Sequence, residues 1–163
     1  ELKQFPPPVS QIKESAIKEI PFQSFEDFKI ISSIKKGKLN LSLTPDFAIC
    51  EVCKKEIKDH KNRRYYYPFT TCVNCGPRWA ITKTFPFERE NTSIQSFEMC
   101  DHCHEEYTDP SDRRFHSQTN SCQHCGITIS LHKSNGSQIN TPPNEIFKEV
   151  AALIKKGKII AIK

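Results

Sequence analysis

Cys50-Glu51-Val52-Cys53 and Cys72-Val73-Asn74-Cys75 bracket a stretch that recurs 50 residues later as Cys100-Asp101-His102-Cys103 and Cys122-Gln123-His124-Cys125. Within each copy 18 residues separate the two Cys-x2-Cys knuckles, and 24 separate the copies. A knuckle of this kind holds two thiolates on one side of a tight loop, and a second knuckle supplies the other two corners of a tetrahedron. The spacing predicts two closed zinc sites with Cys50, Cys53, Cys72, Cys75, Cys100, Cys103, Cys122 and Cys125 as ligands. Four protein thiolates leave no coordination position for water, so the metal is expected to be structural rather than hydrolytic.

Other uses of eight cysteines fit less well. A disulfide framework would have 105 connectivities and needs an oxidising compartment, for which the chain carries no export signal. Iron–sulfur spacings differ from these. A thioredoxin-like redox pair needs a βαβ context that the sequence lacks. The six histidines, His60, His102, His104, His116, His124 and His132, are spare once thiolates saturate each metal.

A shift of 50 residues aligns more than cysteines. Phe47 falls on Phe97, Glu56 on Glu106, Asp59 on Asp109, Arg63-Arg64 on Arg113-Arg114 and Gly76 on Gly126. The pattern reads as a duplicated unit, and a repeat is normally one supersecondary element. Sequential pairing of the knuckles, one metal per unit, is favoured over an interleaved arrangement. Gly76 and Gly126 are expected at positive φ, where the knuckle amides turn toward sulfur. The Arg-Arg pairs are expected to tie down loop carbonyls or Asp59 and Asp109 in a nearly coreless fold.

The remaining composition agrees with a weakly cored protein. Of 163 residues 36% are apolar, 11 are proline, and Lys+Arg 24 against Asp+Glu 19 gives +5. The longest apolar run, Val150 to Ile154, is far too short to cross a bilayer. Each four-thiolate zinc site carries −2, which brings the formal charge down to about +1. The basic stretch Lys54, Lys55, Lys58, Lys61, Arg63, Arg64 with Tyr65-Tyr66-Tyr67 can be read as a nucleic-acid surface or as cations offsetting the thiolates.

Outside the repeat, Phe28-Lys29-Ile30-Ile31 reads as a strand. Asn135-Gly136 and Pro142-Pro143 mark residues 129–143 as a linker. A helix then opens at Pro143-Asn144-Glu145 with Ile146, Phe147, Val150, Leu153 and Ile154 on one face, and Gly157 ends it. Lys158-Ile159-Ile160-Ala161-Ile162-Lys163 reads as a buried-type strand. With no initiator Met at Glu1, the chain reads as a piece of something longer.

Several stretches resemble the HypF family of hydrogenase-maturation carbamoyltransferases. They are Pro45-Asp46-Phe47-Ala48-Ile49-Cys50-Glu51-Val52-Cys53, Arg63-Arg64-Tyr65-Tyr66-Tyr67-Pro68-Phe69-Thr70-Thr71-Cys72-Val73-Asn74-Cys75-Gly76-Pro77-Arg78, Phe97-Glu98-Met99-Cys100, and Asp112-Arg113-Arg114-Phe115-His116-Ser117-Gln118. The resemblance is close over residues 45–126 and looser at both flanks. Ile127 and His60 stand where the family tends to have proline.

The resemblance implies a fold class: a small, irregular, metal-stabilised zinc-finger fold of two tandem four-cysteine units, flanked by fragments of α/β domains. Residues 1–33 would be the last helix and strand of an acylphosphatase-like domain and 34–44 a linker. Residues 45–78 and 95–128 would be the zinc units, with 79–94 as connector. The linker 129–143 would lead to the start of a YrdC-like nucleotide-binding domain at 144–163.

The implied enzyme is cytoplasmic and uses carbamoyl phosphate and ATP. It forms carbamoyl-adenylate and passes the carbamoyl group to the C-terminal cysteine of a HypE-like partner, for cyanide synthesis in [NiFe] hydrogenase maturation. This piece would carry two structural zinc ions and no catalytic residue, and would scaffold the flanking domains of its own chain. Lys163 is the one residue that would approach a nucleotide or carbamoyl phosphate. The competing reading is a stand-alone zinc-finger module that binds nucleic acid or protein.

Overall fold

The computed structural model describes residues 3–6, 10, 12, 14–27, 29 and 45–163. Contacts divide the chain into Glu1–Ser42 and Leu43–Lys163. In the first unit residues 14–27 carry no regular secondary structure, and Ile17, Ile20, Phe22 and Phe25 are exposed. The helix that the family order implies here is not formed among the described residues. Its apolar positions meet no covering surface, Pro21 cuts the run, and a helix this short is marginal without packing. The strand expected over Phe28-Lys29-Ile30-Ile31 and the linker 34–44 lie outside the described residues, Lys29 apart.

The second unit is built twice over. Helix α1 spans Glu51–Lys58 and α2 spans Asp101–Thr108. Each starts from an extended cysteine, Cys50 or Cys100, and has an acidic residue, Glu51 or Asp101, in its first turn, where the helix dipole favours it. Each buries a single residue, Cys53 or Cys103. The helices serve to present a thiol.

The same loop follows each helix. Asp59 accepts from the Lys61 amide and Asn62 from the Arg64 amide, while Asp109 accepts from Ser111 and Asp112 from Arg114. These Asx turns fix the chain locally. Tyr66 and His116 then enter the left-handed region at φ +57° and +53°, and their amides donate back to Ile57 O and Tyr107 O. The second knuckles close through Cys75 N to Cys72 O at 3.3 Å and Cys125 N to Cys122 O at 3.1 Å. The 50-residue period is thus one of backbone hydrogen bonds as well as of side chains.

Between the copies run two 3-10 turns, Trp79–Ile81 and Arg89–Asn91, joined by a bridge between Thr82 and Thr92. Residues 129–143, expected as a plain linker, fold into a hairpin of β1 (Leu131–His132) and β2 (Gln138–Ile139), with Leu131 opposite Ile139. Asn135-Gly136 makes its turn, with Gly136 at φ +84°. Two residues per strand leave almost no periodicity to read in the sequence.

Helix α3 (Pro143–Lys155) matches the expected start and apolar face, and Ile146 is buried. Its end is a Schellman motif: Gly157 at φ +73° donates to Ile154 O and Lys158 to Leu153 O. The strand expected over Lys158 to Lys163 is not formed. Ile159 and Ile162 are 98% and 96% exposed, and no described strand lies alongside to pair with the segment.

The interior of this unit is chemically unusual. Among the described residues, the buried apolar set is five cysteines with Tyr67, Leu131 and Ile146, while Arg64, Arg114, Asn120, Thr70 and Thr92 are buried with them. Thiols and paired polar groups stand where a domain of this size would bury leucine and valine.

Candidate metal centres

Each helix carries two thiols of a cluster, one at its N-cap and one a turn later. The 18-residue excursion then returns the second knuckle beneath them. Cys50, Cys53, Cys72 and Cys75 form one group and Cys100, Cys103, Cys122 and Cys125 the other, all four sulfurs of each lying within 4.8 Å of one another. The pairing is sequential, as the repeat predicts. No described histidine enters either group, and all six histidines are exposed.

The sulfur separations identify what the clusters suit. In the first, Cys50–Cys72 and Cys72–Cys75 are 3.8 Å apart and Cys75–Cys53 3.6 Å. In the second, Cys100–Cys122 and Cys122–Cys125 are 3.8 Å and Cys125–Cys103 3.5 Å. A disulfide requires about 2.05 Å. A tetrahedron with Zn–S bonds of ~2.3 Å has edges of ~3.8 Å. The donor set and its spacing fit a tetrahedral thiophilic divalent ion in each cluster.

Electrostatics points the same way. The hydrogen bond from Cys53 holds the Cys72 thiol down at about 4, and the same contact, with burial, pushes Cys53 up. Burial also pushes Cys103 up, while backbone amides near Cys100 and Cys122 outweigh burial and bring Cys125 to about 7. Packed at contact, four thiols cannot all ionise alone, because each thiolate raises the cost of the next. A dication removes that obstacle.

Each cluster is enclosed by arginines from the other copy. Arg63 donates to Cys103 Sγ at 3.3 and 3.4 Å, and Arg113 donates to Cys53 Sγ at 2.8 Å. Arg64 donates to Ser121 O at 3.0 Å, to Asn120 Oδ1 at 2.9 Å and to both Glu106 oxygens at 2.9 and 2.5 Å. Arg114 mirrors it, donating to Thr71 O at 3.0 Å and to the Glu56 carboxylate. Burial pushes the Glu106 carboxyl up, but the Arg64 and Arg63 guanidiniums override it and hold it at about 2. Glu56 is likewise held low, against burial, by Arg114 and Arg113.

The arginines do tie down loop carbonyls, as expected, but across the repeat. Their carboxylate partners are Glu56 and Glu106 rather than Asp59 and Asp109, whose oxygens are turned to the Asx turns. The repeat alignment had already paired Glu56 with Glu106, which was the available signal; Asn120, Tyr67 and the hydrogen bond from Thr71 Oγ1 to Thr119 Oγ1 at 2.7 Å had none. The two glycines also differ. Gly76 has φ +91°, as expected, but Gly126 does not have a positive φ. A Cβ there would overlap the Tyr67 hydroxyl and lie 2.8 Å from Ser121 Cβ, so close approach is what requires glycine. The first knuckles need no glycine, because a helix N-terminus supplies their amides.

Tyr67 is 3% exposed, hydrogen-bonded to Ser121 Oγ at 3.0 Å and to the Ile127 amide at 3.1 Å. Tyr66 stacks on Phe147 and meets Tyr65 edge-on. Lys163 is exposed and belongs to no element. No helix among the described residues is long and apolar enough to cross a membrane.

A family model described as the HypF finger matches residues 49–82 and 99–132, again 50 apart. A probable carbamoyltransferase HypF of Methanocaldococcus jannaschii is 50% identical over the whole chain and 21% of its own length. The carbamoyltransferase HypF of Synechocystis sp. is 46% identical over 96% of the chain and 20% of its own length. The crystal structure of full-length HypF in a phosphate- and nucleotide-bound form superposes with a TM-score of 0.84 at 40% identity, covering 99% of this chain and 21% of that one. The chain therefore spans about a fifth of the length of the curated relatives it matches.

Proposed function

The chain belongs to the HypF family, whose tandem-finger region it carries, and from that premise we propose that it is a zinc-held scaffold within a carbamoyltransferase. The observation that carries this reading is the pair of interlocked four-cysteine clusters standing in place of a hydrophobic core. Cys50, Cys53, Cys72 and Cys75 hold one zinc ion, and Cys100, Cys103, Cys122 and Cys125 hold the second. Zinc supplies no reaction chemistry here; it neutralises thiolates and fixes four chain segments at a point.

Residues 45–78 and 95–128 are the zinc units, with 79–94 between them. Residues 1–33 close an acylphosphatase-like domain and 34–44 link it to the first unit. Residues 144–163, after the segment 129–143, begin a YrdC-like domain. The chain matches its relatives along nearly its whole length, flanks included, which supports that order. The whole enzyme takes carbamoyl phosphate and ATP and hands the carbamoyl group to the terminal cysteine of a HypE-like partner. That one solved relative is titled as phosphate- and nucleotide-bound is consistent with those substrates. A rigid module between catalytic domains keeps a labile carbamate from reaching water before it is adenylated. Lys163, exposed, is the residue of this piece that would face a nucleotide or carbamoyl phosphate.

The test is to replace Cys72 or Cys122 by serine in the intact enzyme and measure carbamoyl transfer. Loss of transfer together with one zinc is expected; full transfer by a zinc-depleted variant would sink the scaffold reading. A nucleic-acid module finds less support. Arg63 and Arg64 are committed to Cys103 and Glu106, and Tyr67 is buried, so the basic-aromatic stretch offers little stacking surface.

A further inference from the structure

We propose that the two metal sites are completed in trans and therefore load cooperatively, with Arg113 of the second copy positioning and neutralising the first cluster and Arg63 of the first copy doing the same for the second. The inference rests on the reading that both clusters hold zinc. Two independent finger units would each satisfy their own sulfurs. Here the sulfur contacts cross: Arg113 reaches Cys53 at 2.8 Å and Cys50 at 4.0 Å, and Arg63 reaches Cys103 at 3.3 and 3.4 Å.

At Arg113 the crossing is not a by-product of a surface salt bridge, whereas Arg63 holds the Glu106 carboxylate at 2.6 Å together with Cys103 Sγ at 3.3 and 3.4 Å. Arg113 is closer to Cys53 Sγ than to the Glu56 carboxylate, which lies at 3.4 Å. Its Nε is buried with no hydrogen-bond partner, so the side chain gives up one donor to hold its terminal nitrogens against the cluster. Both arginines are only about a third exposed, at 31% for Arg63 and 28% for Arg113. A guanidinium keeps its charge under all relevant conditions and donates in a fixed fork. Each four-thiolate metal site carries a net −2, and a partly buried cation at its sulfurs lowers the cost of that charge.

The coupling follows from how the arginine is placed. Arg113 stands in the loop between Cys103 and Cys122, and that loop is closed at both ends by the second cluster. Its neighbour Arg114 is fastened to Thr71 O and Glu56 of the first copy. Loading the second site fixes the loop that carries Arg113, which pre-organises the donor to the first site. The mirror-image argument holds for Arg63, placed between Cys53 and Cys72, with Arg64 fastened to Ser121 O and Glu106. Neither site is complete without the other's loop.

The experiment uses the full 163-residue chain. With excess zinc, two ions per chain are expected; binding of no zinc would end the zinc reading itself. With one equivalent of zinc, native mass spectrometry should show mainly apo and two-zinc chains. A one-zinc species at or above the statistical half, with two ions still bound at excess, would overturn the cooperativity while leaving the zinc reading intact. Site by site, Arg113→Gln should speed alkylation of Cys50, Cys53, Cys72 and Cys75 under chelator challenge by about 10–100-fold, the usual range for losing an outer donor to a metal ligand, with a smaller rise at the second cluster passed on by the coupling. Arg63→Gln should do so for Cys100, Cys103, Cys122 and Cys125. Arg113→Lys, which keeps the charge, should recover most of the protection. Peptide mapping that finds the faster-labelled cysteines in the same copy as the substitution, or in neither, refutes the crossed arrangement.

Discussion

Replacing Arg64 by methionine keeps much of its apolar stem while deleting its charge. The side chain is 2% exposed and donates to five acceptor atoms of the second copy: Ser121 O, Asn120 Oδ1, both oxygens of Glu106 and, at 3.7 Å, Cys103 Sγ. Removing one partner of a buried ion pair costs about 3–5 kcal/mol, because the remaining charge is left in low dielectric. Two features reduce that figure: Glu106 is 19% exposed, and Arg63 remains on it at 2.6 Å. Two others raise it, since Ser121 O and Asn120 Oδ1 lose a donor at about 1 kcal/mol or more each. The expected loss is about 3 kcal/mol, or roughly 10–15 °C in melting temperature for a unit of this size. Thermal and urea unfolding followed by circular dichroism measure it, with free zinc buffered so that metal linkage stays constant. Lys58→Met, an exposed change on α1, should stay within about 0.5 kcal/mol. Adding Glu106→Gln to Arg64→Met should restore part of the stability, because the orphaned charge is then gone. An Arg64→Met loss below about 1 kcal/mol, or no recovery in the double variant, refutes the claim that these crossed pairs replace a core.

The same carboxylate sets an acid limit. Glu106 is held at about 2 in the fold against an ordinary 4.5, so its contribution is present above pH ~4.5 and lost as pH falls toward 2. The stability difference between the protein and Glu106→Gln should therefore be flat from pH 5 to 7 and shrink below 4.5; a difference that grows on acidification contradicts the assignment. Gly126→Ala should destabilise by about 1–3 kcal/mol through overlap with Tyr67 and Ser121. Gly136→Ala, with nothing within 4 Å, should lose only the roughly 1 kcal/mol of a left-handed backbone. Equal losses at the two glycines in urea titrations would mean that close approach is not what Gly126 serves.

What the sequence discloses here divides by the range over which each feature is decided. The two four-cysteine clusters are legible because a Cys-x2-Cys knuckle is settled within four residues, and α3 because a Pro start, an apolar face and a Gly stop are settled within fifteen. The pairing of knuckles follows from the 50-residue period. The strand at Lys158 to Lys163 fails because a strand depends on a neighbour, and an apolar run of four residues says nothing about whether one is alongside. The hairpin at 131–139 escapes notice for the opposite reason: its strands are shorter than one period of alternation.

The arginines mark the deeper limit. A duplication reveals that Arg63-Arg64 and Arg113-Arg114 hold equivalent places, but it is silent on whether each serves its own copy or the other. In a symmetric pair both wirings give the same alignment. What decides between them is reach. Within its own copy the Asp-x3-Arg-Arg segment is held by Asx turns that consume Asp59, Asn62, Asp109 and Asp112 on backbone amides, and the own-copy carboxylate contact is a long one, Arg114 to Glu106 at 3.8 Å. The nearest acceptors they can meet are Glu56 and Glu106 on the facing helices, together with the carbonyls of Thr71 and Ser121 just ahead of the second knuckles. Once four arginines cross over, the two copies exclude water from each other's thiols, and a chain with only 36% apolar residues acquires an interior. One copy alone would expose its cluster and leave its arginines without these partners, so the two copies are expected to fold as one unit.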